Sequence, residues 1–258
     1  MSKIANDILD LVGGTPLVRI NRLTNGAQAE VYAKLESANP SSSVKDRIAK
    51  QMIDDAIANG KLQEGMTVIE STSGNTGIGL AMACAVRGFK LILSMPDTMS
   101  LERRQILKTF GAQLELTPGA DGMKGAIARA EELAREIGNA WIPEQFANPS
   151  NPKVHRENTA LEIWNDTDGQ IDILVSGVGT GGTLTGCAEV LKEKKDSIKV
   201  IAVEPDTSAV ISGDSPGPHK IQGIGAGFIP EVLKTSLIDG VEKVSNEEAG
   251  ETARELVQ

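Results

Sequence analysis

The chain has 258 residues, of which 40% are hydrophobic, and it carries a formal net charge of -9. A chain of this length buries a large core and is expected to divide into two lobes. The acidic balance argues against nucleic acid as a partner, and no apolar run approaches the roughly 18 residues of a membrane helix. The first ten residues mix charge and polarity without a signal-peptide core, so we expect a cytoplasmic protein.

Strands and helices alternate along most of the chain. An amphipathic helix is predicted at 4–12, followed by two strands at 15–20 and 29–35 around an Asn25-Gly26 turn. After a helix that begins near Lys45, the predicted strands are 67–70, 90–95, 113–117 and 140–142, and the predicted helices are 76–86, 101–110 and 123–137. A polar stretch, 144–158, connects these to a strand at 171–176, a helix at 183–192 and a strand at 199–204. This alternation predicts an α/β fold with parallel sheets covered on both faces.

Lys45 occupies the first turn of its predicted helix. Asn39-Pro40 marks a turn before it, and an apolar stripe from Ile48 to Ile57 continues until Asn59-Gly60 ends the helix. A helix N-terminus carries partial positive charge, which disfavours a cation and lowers the pKa of an amine. A neutral lysine amine attacks carbonyls to form a Schiff base. The alternative is a surface lysine whose charge is offset by Asp46.

Cysteine and histidine are scarce. Cys84 and Cys187 fall in apolar helical patterns and are expected to be buried reduced thiols rather than catalytic groups. His155 and His219 have no cysteine or carboxylate neighbour at ligand spacing, which argues against a metal site or a Ser-His-Asp triad. Proton chemistry would therefore fall on a lysine, a carboxylate or a bound cofactor.

Two polar segments follow predicted strands, where ligands bind in open α/β sheets. The first, 71–77, offers four hydroxyls, an amide and two glycines at the start of a helix, which suits the carboxylate of a small substrate. An ordinary N-cap would explain one of these polar residues but not all of them. The sequence therefore predicts an anion site after Glu70.

The second segment, 177–183, is Gly-Val-Gly-Thr-Gly-Gly-Thr and suits a phosphate at a helix N-terminus. Its glycines also satisfy G-x-G-x-x-G, and Glu204 ends the next strand where a dinucleotide fold places its ribose carboxylate. A nicotinamide cofactor is therefore a competing hypothesis, although the motif lies late in the chain and no hydride-transfer acid is apparent. A glycine-rich turn without a ligand is the third interpretation.

Pyridoxal phosphate would unite the lysine, the anion site and the phosphate loop, because it carries an aldehyde and a phosphate and stabilises amino-acid carbanions. Longer motifs point the same way. The sequence resembles the cysteine synthase (O-acetylserine sulfhydrylase) family, of the cysteine synthase/cystathionine β-synthase group, over nearly its whole length. The motifs that carry the resemblance are Asn39 to Arg47, Thr72 to Thr76, Met95 to Arg104, Gln145-Phe146, Gly179 to Thr183 and Pro216 to Phe228.

The resemblance implies a two-lobed fold-type II pyridoxal-phosphate enzyme, similar to tryptophan synthase β, with a mostly parallel sheet flanked by helices in each lobe. Residues 1–145 would form the N-terminal lobe with the Schiff-base lysine and the substrate loop, and residues 146–258 the C-terminal lobe with the phosphate loop. Residues 13–35 would pair with the second lobe.

The resemblance also implies a role for each matching residue. Lys45 would bond to pyridoxal 5'-phosphate and then act as general base on the substrate α-proton, while Asn75 would hydrogen-bond the ring hydroxyl. The phosphate would be held by Gly179, Thr180, Gly181, Gly182 and Thr183. The substrate carboxylate would be bound by Thr72, Ser73, Thr76 and Gln145, and Gly223 to Gly227 would lie along the active-site entrance.

The implied reaction is a β-replacement that forms L-cysteine from O-acetyl-L-serine and sulfide through an aminoacrylate intermediate. Homocysteine or cysteine as the nucleophile would instead give a cystathionine or lanthionine synthase. A catalytically silent binding form is a further alternative. The resemblance also implies a homodimer, and a serine acetyltransferase C-terminal peptide as a partner at the active site.

The sequence departs from the family pattern in three places. Ser71 stands where proline is frequent, and Ala160-Leu161 stand where Gly-Pro is usual. The chain ends at Gln258 within a helical pattern, whereas the family continues with further elements, including a serine that meets the pyridine nitrogen. We therefore expect the family's activity of a parent protein with those elements, and not of residues 1–258 alone.

Overall fold

The computed structural model describes residues 4–24, 26–72 and 74–257. The chain divides into two compact units, Met1–Gly13 with Glu36–Ser150 and Gly14–Leu35 with Asn151–Gln258. The strands of the described residues are β1 (Leu17–Arg19), β2 (Tyr32–Lys34), β3 (Thr67–Ser71), β4 (Lys90–Pro96), β5 (Gln113–Thr117), β6 (Ala140–Trp141), β7 (Ile173–Gly177), β8 (Lys199–Pro205) and β9 (Gly240–Val244). The α-helices are α1 (Lys45–Ala58), α2 (Asn75–Arg87), α3 (Leu101–Thr109), α4 (Gly122–Ile137), α5 (Ser150–Val154), α6 (Ala160–Asp166), α7 (Gly182–Lys194) and α8 (Asn246–Leu256).

The first unit is built on a four-stranded parallel sheet in the order β5-β4-β3-β6. Its central strands, β3 and β4, are buried over most of their length, because helices cover both faces of a parallel sheet. Ile69 pairs in register with Ile92, and both pack against Ala130 and Leu133 of α4. The carboxyl ends of β3 and β4 therefore meet at one edge, where the Thr72–Thr76 segment begins.

The second unit contains a three-stranded parallel sheet, β7-β8-β9, and the antiparallel pair β1-β2. The core of this unit includes Leu184, Leu191, Ile198 and Val200, all buried on or near α7 and β8. Lys34 of β2 lies 2.9 Å from Glu162 of α6 through its Nζ and Oε2 atoms, which ties the antiparallel pair to that helix. The parallel sheets of both units confirm the predicted α/β class.

Two predicted elements were wrong in detail. Residues 4–12 do not form an amphipathic α-helix; only a 3₁₀ turn, Ile8–Leu11, is present, capped by the Asp7 side chain. Leu9 is the one buried residue of that turn, so too little apolar surface packs to sustain a longer helix. Asn25 of the predicted Asn25-Gly26 turn lies outside the described residues.

The stretch 144–158 was predicted as a polar connection, but it becomes helical at Ser150. Asn148 Oδ1 accepts a hydrogen bond from Ser150 N at 3.0 Å. A π-helical turn, His155–Thr159, then joins α5 to α6. The polar residues Asn151, His155 and Thr159 recur every fourth position and are buried, so they form an inward face that composition alone does not reveal.

Within the described part of the chain, no helix is long and apolar enough to cross a membrane. The same residues contain no cluster of histidine, cysteine and carboxylate side chains that could hold a metal ion. Cys84 and Cys187 are buried and reduced, as predicted.

Candidate active site

A hydrogen-bonded turn sets the position of Lys45. Asn39 Nδ2 donates to the Glu36 carbonyl at 2.9 Å, and Asn39 Oδ1 accepts from Gly13 N at 2.8 Å. The Asp46 carboxylate accepts hydrogen bonds from both the backbone N and the hydroxyl of Ser41. These bonds hold the turn that precedes α1, and Ser43 Oγ accepts from the backbone N of Lys45 at 3.1 Å.

Lys45 is the first residue of α1, as predicted, and its side chain is half-buried. No carboxylate of the described residues forms an ion pair with it, because Asp46 is directed at Ser41. Burial lowers the pKa of the Lys45 amine by desolvating its charged form. The direction of this shift is the one that the sequence predicted, and the structure attributes it to desolvation of the amine.

Arg47 fixes the first turn of α1 to the preceding segment. Its guanidinium is buried and binds Glu36 through two contacts, Nε to Oε2 at 2.6 Å and Nη2 to Oε1 at 2.9 Å. Such a bidentate pair constrains orientation as well as distance. The helix that carries Lys45 is therefore anchored next to the lysine itself.

The predicted substrate loop occupies the edge of the first sheet. Thr72 Oγ1 accepts from Gly74 N at 3.2 Å, and exposed Asn75 is the first residue of α2. The hydroxyl of Thr76 donates to Gln145 Oε1 at 2.6 Å, and both residues are buried. The structure thus brings Thr76 and Gln145 together, as their predicted joint role requires. Ser73 lies outside the described residues.

Glu70 is a buried carboxyl directly before this loop. Its Oε1 accepts from Ser71 N at 3.1 Å. The backbone amides of Gln145 and Glu144 also approach the carboxyl and favour its charged form, but Oε2 has no full hydrogen bond among the described residues. Desolvation outweighs these contacts and raises the pKa of Glu70 to about 7. The sequence pattern indicated Glu70 only as the end of a strand.

The glycine loop joins β7 to α7 in the second unit, where Gly181 has a left-handed φ of 83°. A Cβ at Gly179 would collide with the Gly223 carbonyl, and a Cβ at Gly182 would collide with the Asn151 side chain. Gly225 N also donates to the Val178 carbonyl at 2.9 Å, so part of the predicted entrance segment packs on this loop. Glycine is required here because neighbouring backbone and side chains approach closely.

The two threonine hydroxyls of the loop have polar neighbours that the loop motif alone does not indicate. Asn151 Nδ2 donates to Thr180 Oγ1 at 3.0 Å. His155 Nε2 lies 3.1 Å from Thr183 Oγ1, and His155 Nδ1 lies 3.0 Å from Thr159 Oγ1. The spacing of Asn151, His155 and Thr159 by four residues is the signal that could have placed them on one helical face.

Glu204 does not support the dinucleotide hypothesis. Its carboxylate is buried and accepts hydrogen bonds from Ile211 N, Ser212 N and the Ser212 hydroxyl at 2.7–2.9 Å. These bonds occupy both carboxylate oxygens in closing a turn after β8. Glu204, the residue that would bind a ribose, therefore has a structural role.

The residues present fit pyridoxal phosphate. The second unit offers a glycine loop with two hydroxyls at a helix N-terminus, which is the donor set that a phosphate takes. The first unit offers a desolvated lysine amine without a carboxylate partner among the described residues, which suits an aldehyde.

Comparison with known proteins identifies the family. The family model described as "Pyridoxal-phosphate dependent enzyme" matches residues 8–258. A cysteine synthase from Flavobacterium sp. is 55% identical over 245 residues, which are 95% of this chain and 80% of that protein. The crystal structure of a cysteine synthase from Entamoeba histolytica superposes with a TM-score of 0.96 at 49% identity and covers 99% of this chain and 77% of its own.

A third relative has a different described activity. A hydrogen sulfide-producing enzyme from Fusobacterium nucleatum has a TM-score of 0.95 at 46% identity, over 99% of this chain and 84% of its own. All three similarities extend over nearly the whole chain. This chain belongs to the pyridoxal-phosphate dependent enzymes and, among them, to the cysteine synthase family.

Proposed function

We propose that the protein is a transferase that converts O-acetyl-L-serine and hydrosulfide into L-cysteine and acetate with the help of pyridoxal phosphate. The reaction breaks the bond between Cβ and the acetate oxygen and forms a bond between Cβ and sulfur. The observation that carries the proposal is Lys45, whose amine is desolvated and has no carboxylate partner among the described residues. Cysteine synthases at 49–55% identity support the choice of substrates.

Lys45 would act as both anchor and base. Pyridoxal phosphate, when bound, supplies an aldehyde that bonds to an amine and a ring that accepts electrons from the substrate Cα. Lys45 Nζ, once displaced by the substrate amine, would remove the proton from Cα. Because desolvation lowers the amine pKa, a larger fraction of the Lys45 amine is neutral near neutral pH than for an exposed lysine.

The first unit would bind the substrate carboxylate through Thr72, Ser73, Thr76 and Gln145, and Asn75 would meet the cofactor's ring hydroxyl. The hydrogen bond from Thr76 to Gln145 supports this role, since it orients the glutamine amide. In the second unit, Gly179, Thr180, Gly181, Gly182 and Thr183 would hold the phosphate. Each lobe would thus contribute a separate recognition task.

The wider setting is part of the same proposal. We expect a cytoplasmic homodimer that acts in cysteine biosynthesis. A C-terminal peptide of serine acetyltransferase would present its carboxylate to the Thr72–Thr76 loop as the substrate does. Co-purification of the two proteins, released by O-acetylserine, would support that partnership.

A second candidate differs only in the nucleophile. The Fusobacterium relative is described as a hydrogen sulfide-producing enzyme, so a protein 46% identical to this chain carries a different described activity. With homocysteine or cysteine as the nucleophile, this protein would form cystathionine or lanthionine.

The test is a competition assay. The protein, loaded with pyridoxal phosphate, is incubated with O-acetylserine and equal concentrations of sulfide, homocysteine and cysteine, and the products are separated and counted. Cysteine as the dominant product supports the proposal, and cystathionine or lanthionine would select the second candidate. Binding of pyridoxal phosphate without any product would indicate a silent form.

A further inference from the structure

The polar face of the α5 segment lies directly behind the glycine loop. Asn151, His155 and Thr159 are all buried, with exposures of 0%, 1% and 2%. The approach is close because α7 presents two glycines to it. A Cβ at Gly182 would collide with Asn151, and a Cβ at Gly186 would lie 2.8 Å from the His155 Cβ.

The hydrogen bond between Asn151 and Thr180 has a defined donor and acceptor. A hydroxyl has one proton and can accept through its lone pairs at the same time. Asn151 Nδ2 is a donor, so Thr180 Oγ1 accepts from it at 3.0 Å and keeps its own proton for another acceptor. A phosphate has only acceptors to offer at its charged oxygens, and it therefore needs that proton.

Thr183 can likewise donate to a phosphate only if His155 donates a hydrogen bond to its hydroxyl oxygen. A neutral imidazole donates through one nitrogen and accepts through the other. If the Thr159 hydroxyl donates to Nδ1, the imidazole proton resides on Nε2, which then donates to Thr183 Oγ1. The opposite tautomer would take the Thr183 proton and turn a lone pair toward the anion.

We propose that Asn151, His155 and Thr159 are positioning residues that polarise Thr180 and Thr183 as phosphate donors, with Thr159 selecting the His155 tautomer. This inference rests on the proposed phosphate-binding role of residues 179–183. It extends that role to three residues outside the loop, one of which, Thr159, makes its hydrogen bond to His155 and not to the loop.

The test compares two ligands that differ only in the phosphate. Dissociation constants of the cofactor-free protein are measured for pyridoxal phosphate and for pyridoxal. The constant for pyridoxal divided by the constant for pyridoxal phosphate reports the phosphate contribution. Thr159→Val removes the hydroxyl with little change in volume, and Thr159→Ser retains it as the matched control. His155→Leu, which removes the donor to Thr183, is measured in parallel with circular dichroism to confirm folding.

The ratio of dissociation constants should fall about 3- to 10-fold in Thr159→Val, because the neutral hydrogen bond between His155 and Thr183 is then no longer fixed in direction. It should fall about 10- to 100-fold in His155→Leu and stay within about twofold of the wild type in Thr159→Ser. Equal weakening of both ligands would show a packing role and overturn the inference. So would an unchanged ratio in Thr159→Val.

The wild-type ratio separates this inference from the proposed function. If the wild-type protein binds pyridoxal phosphate no more tightly than pyridoxal, the phosphate-loop proposal itself fails. If the wild type prefers pyridoxal phosphate and the variants keep that preference, only the positioning role is refuted. Inorganic phosphate, which should compete with the cofactor less effectively in Thr159→Val than in Thr159→Ser, gives an independent readout.

Discussion

Thr76 Oγ1 donates a hydrogen bond to Gln145 Oε1 at 2.6 Å, although the two residues are 69 positions apart in the sequence. Both side chains are buried at the edge of the first sheet. The bond occupies the glutamine carbonyl and so orients its NH₂ group as a donor. Substrate recognition in our proposal depends on that orientation.

Thr76→Val should therefore weaken use of O-acetylserine. The substitution keeps the shape of the side chain but removes the hydroxyl, which leaves the buried Gln145 amide without its orienting donor. We expect kcat/KM for O-acetylserine to fall about 10- to 100-fold, as for the loss of a hydrogen bond to a charged group. Steady-state kinetics measure it, and Thr76→Ser should retain most activity. Equal kinetics for the two variants would refute the role.

Glu70→Gln should change how stability depends on pH. The folded-state pKa of about 7 lies above the ordinary value of 4.5, so the folded protein retains a proton that the unfolded chain releases between these values. Stability is therefore lost as pH rises through this window, and ionised Glu70 costs about 3 kcal/mol at pH 8. Glutamine cannot ionise and should remove this loss.

Urea unfolding at pH 4.5 and pH 8 measures the effect. The free energy of unfolding of Glu70→Gln, relative to the wild type, should rise by about 3 kcal/mol between the two pH values. A difference that is the same at both pH values would mean that Glu70 does not titrate in this range.

Gly79→Ala should destabilise the packing of α2 against the start of α1. The added Cβ would lie 3.0 Å from both the Ala49 Cβ and the Lys45 carbonyl oxygen. Overpacking of this kind costs about 1–3 kcal/mol, and the resulting shift would also displace Lys45. Thermal unfolding measures the cost. Gly250→Ala, the same change in α8 with only an ordinary contact at 3.7 Å, should instead stabilise by up to about 1 kcal/mol.

Lys45 should be the residue that the cofactor labels. Borohydride reduction of the protein loaded with pyridoxal phosphate should fix the cofactor to the Lys45 amine, and peptide mapping identifies the modified residue. Lys50 serves as an internal control, because it lies on the same helix but pairs with Asp54 at 3.2 Å. Label on Lys50, or spread over many lysines, would contradict the assignment.

Local sequence patterns correctly predicted where Lys45 lies on its helix. The turn at Asn39-Pro40 and the stripe from Ile48 onward are short-range signals, and they placed Lys45 at the first residue of α1. Strand alternation likewise predicted the two parallel sheets. Each of these features depends on residues within one or two helical turns or strand periods.

Features that depend on distant contacts were not predictable in this way. Burial lowers the pKa of Lys45, and burial depends on the packing of α2 over α1. The contact of His155 with Thr183 spans 28 positions, and it lies in a stretch whose composition indicated only a polar connection. The 3₁₀ turn at Ile8–Leu11 shows the converse, since a local apolar pattern indicated a helix there but only Leu9 of the turn is buried.

The most direct test of the central claim is the visible absorption spectrum of the protein with pyridoxal phosphate, before and after O-acetylserine is added. We predict a yellow band that is absent in Lys45→Ala, shifts when O-acetylserine binds and returns when sulfide is supplied. A band that persists in Lys45→Ala, or one that O-acetylserine leaves unchanged, would contradict the proposed lysine chemistry.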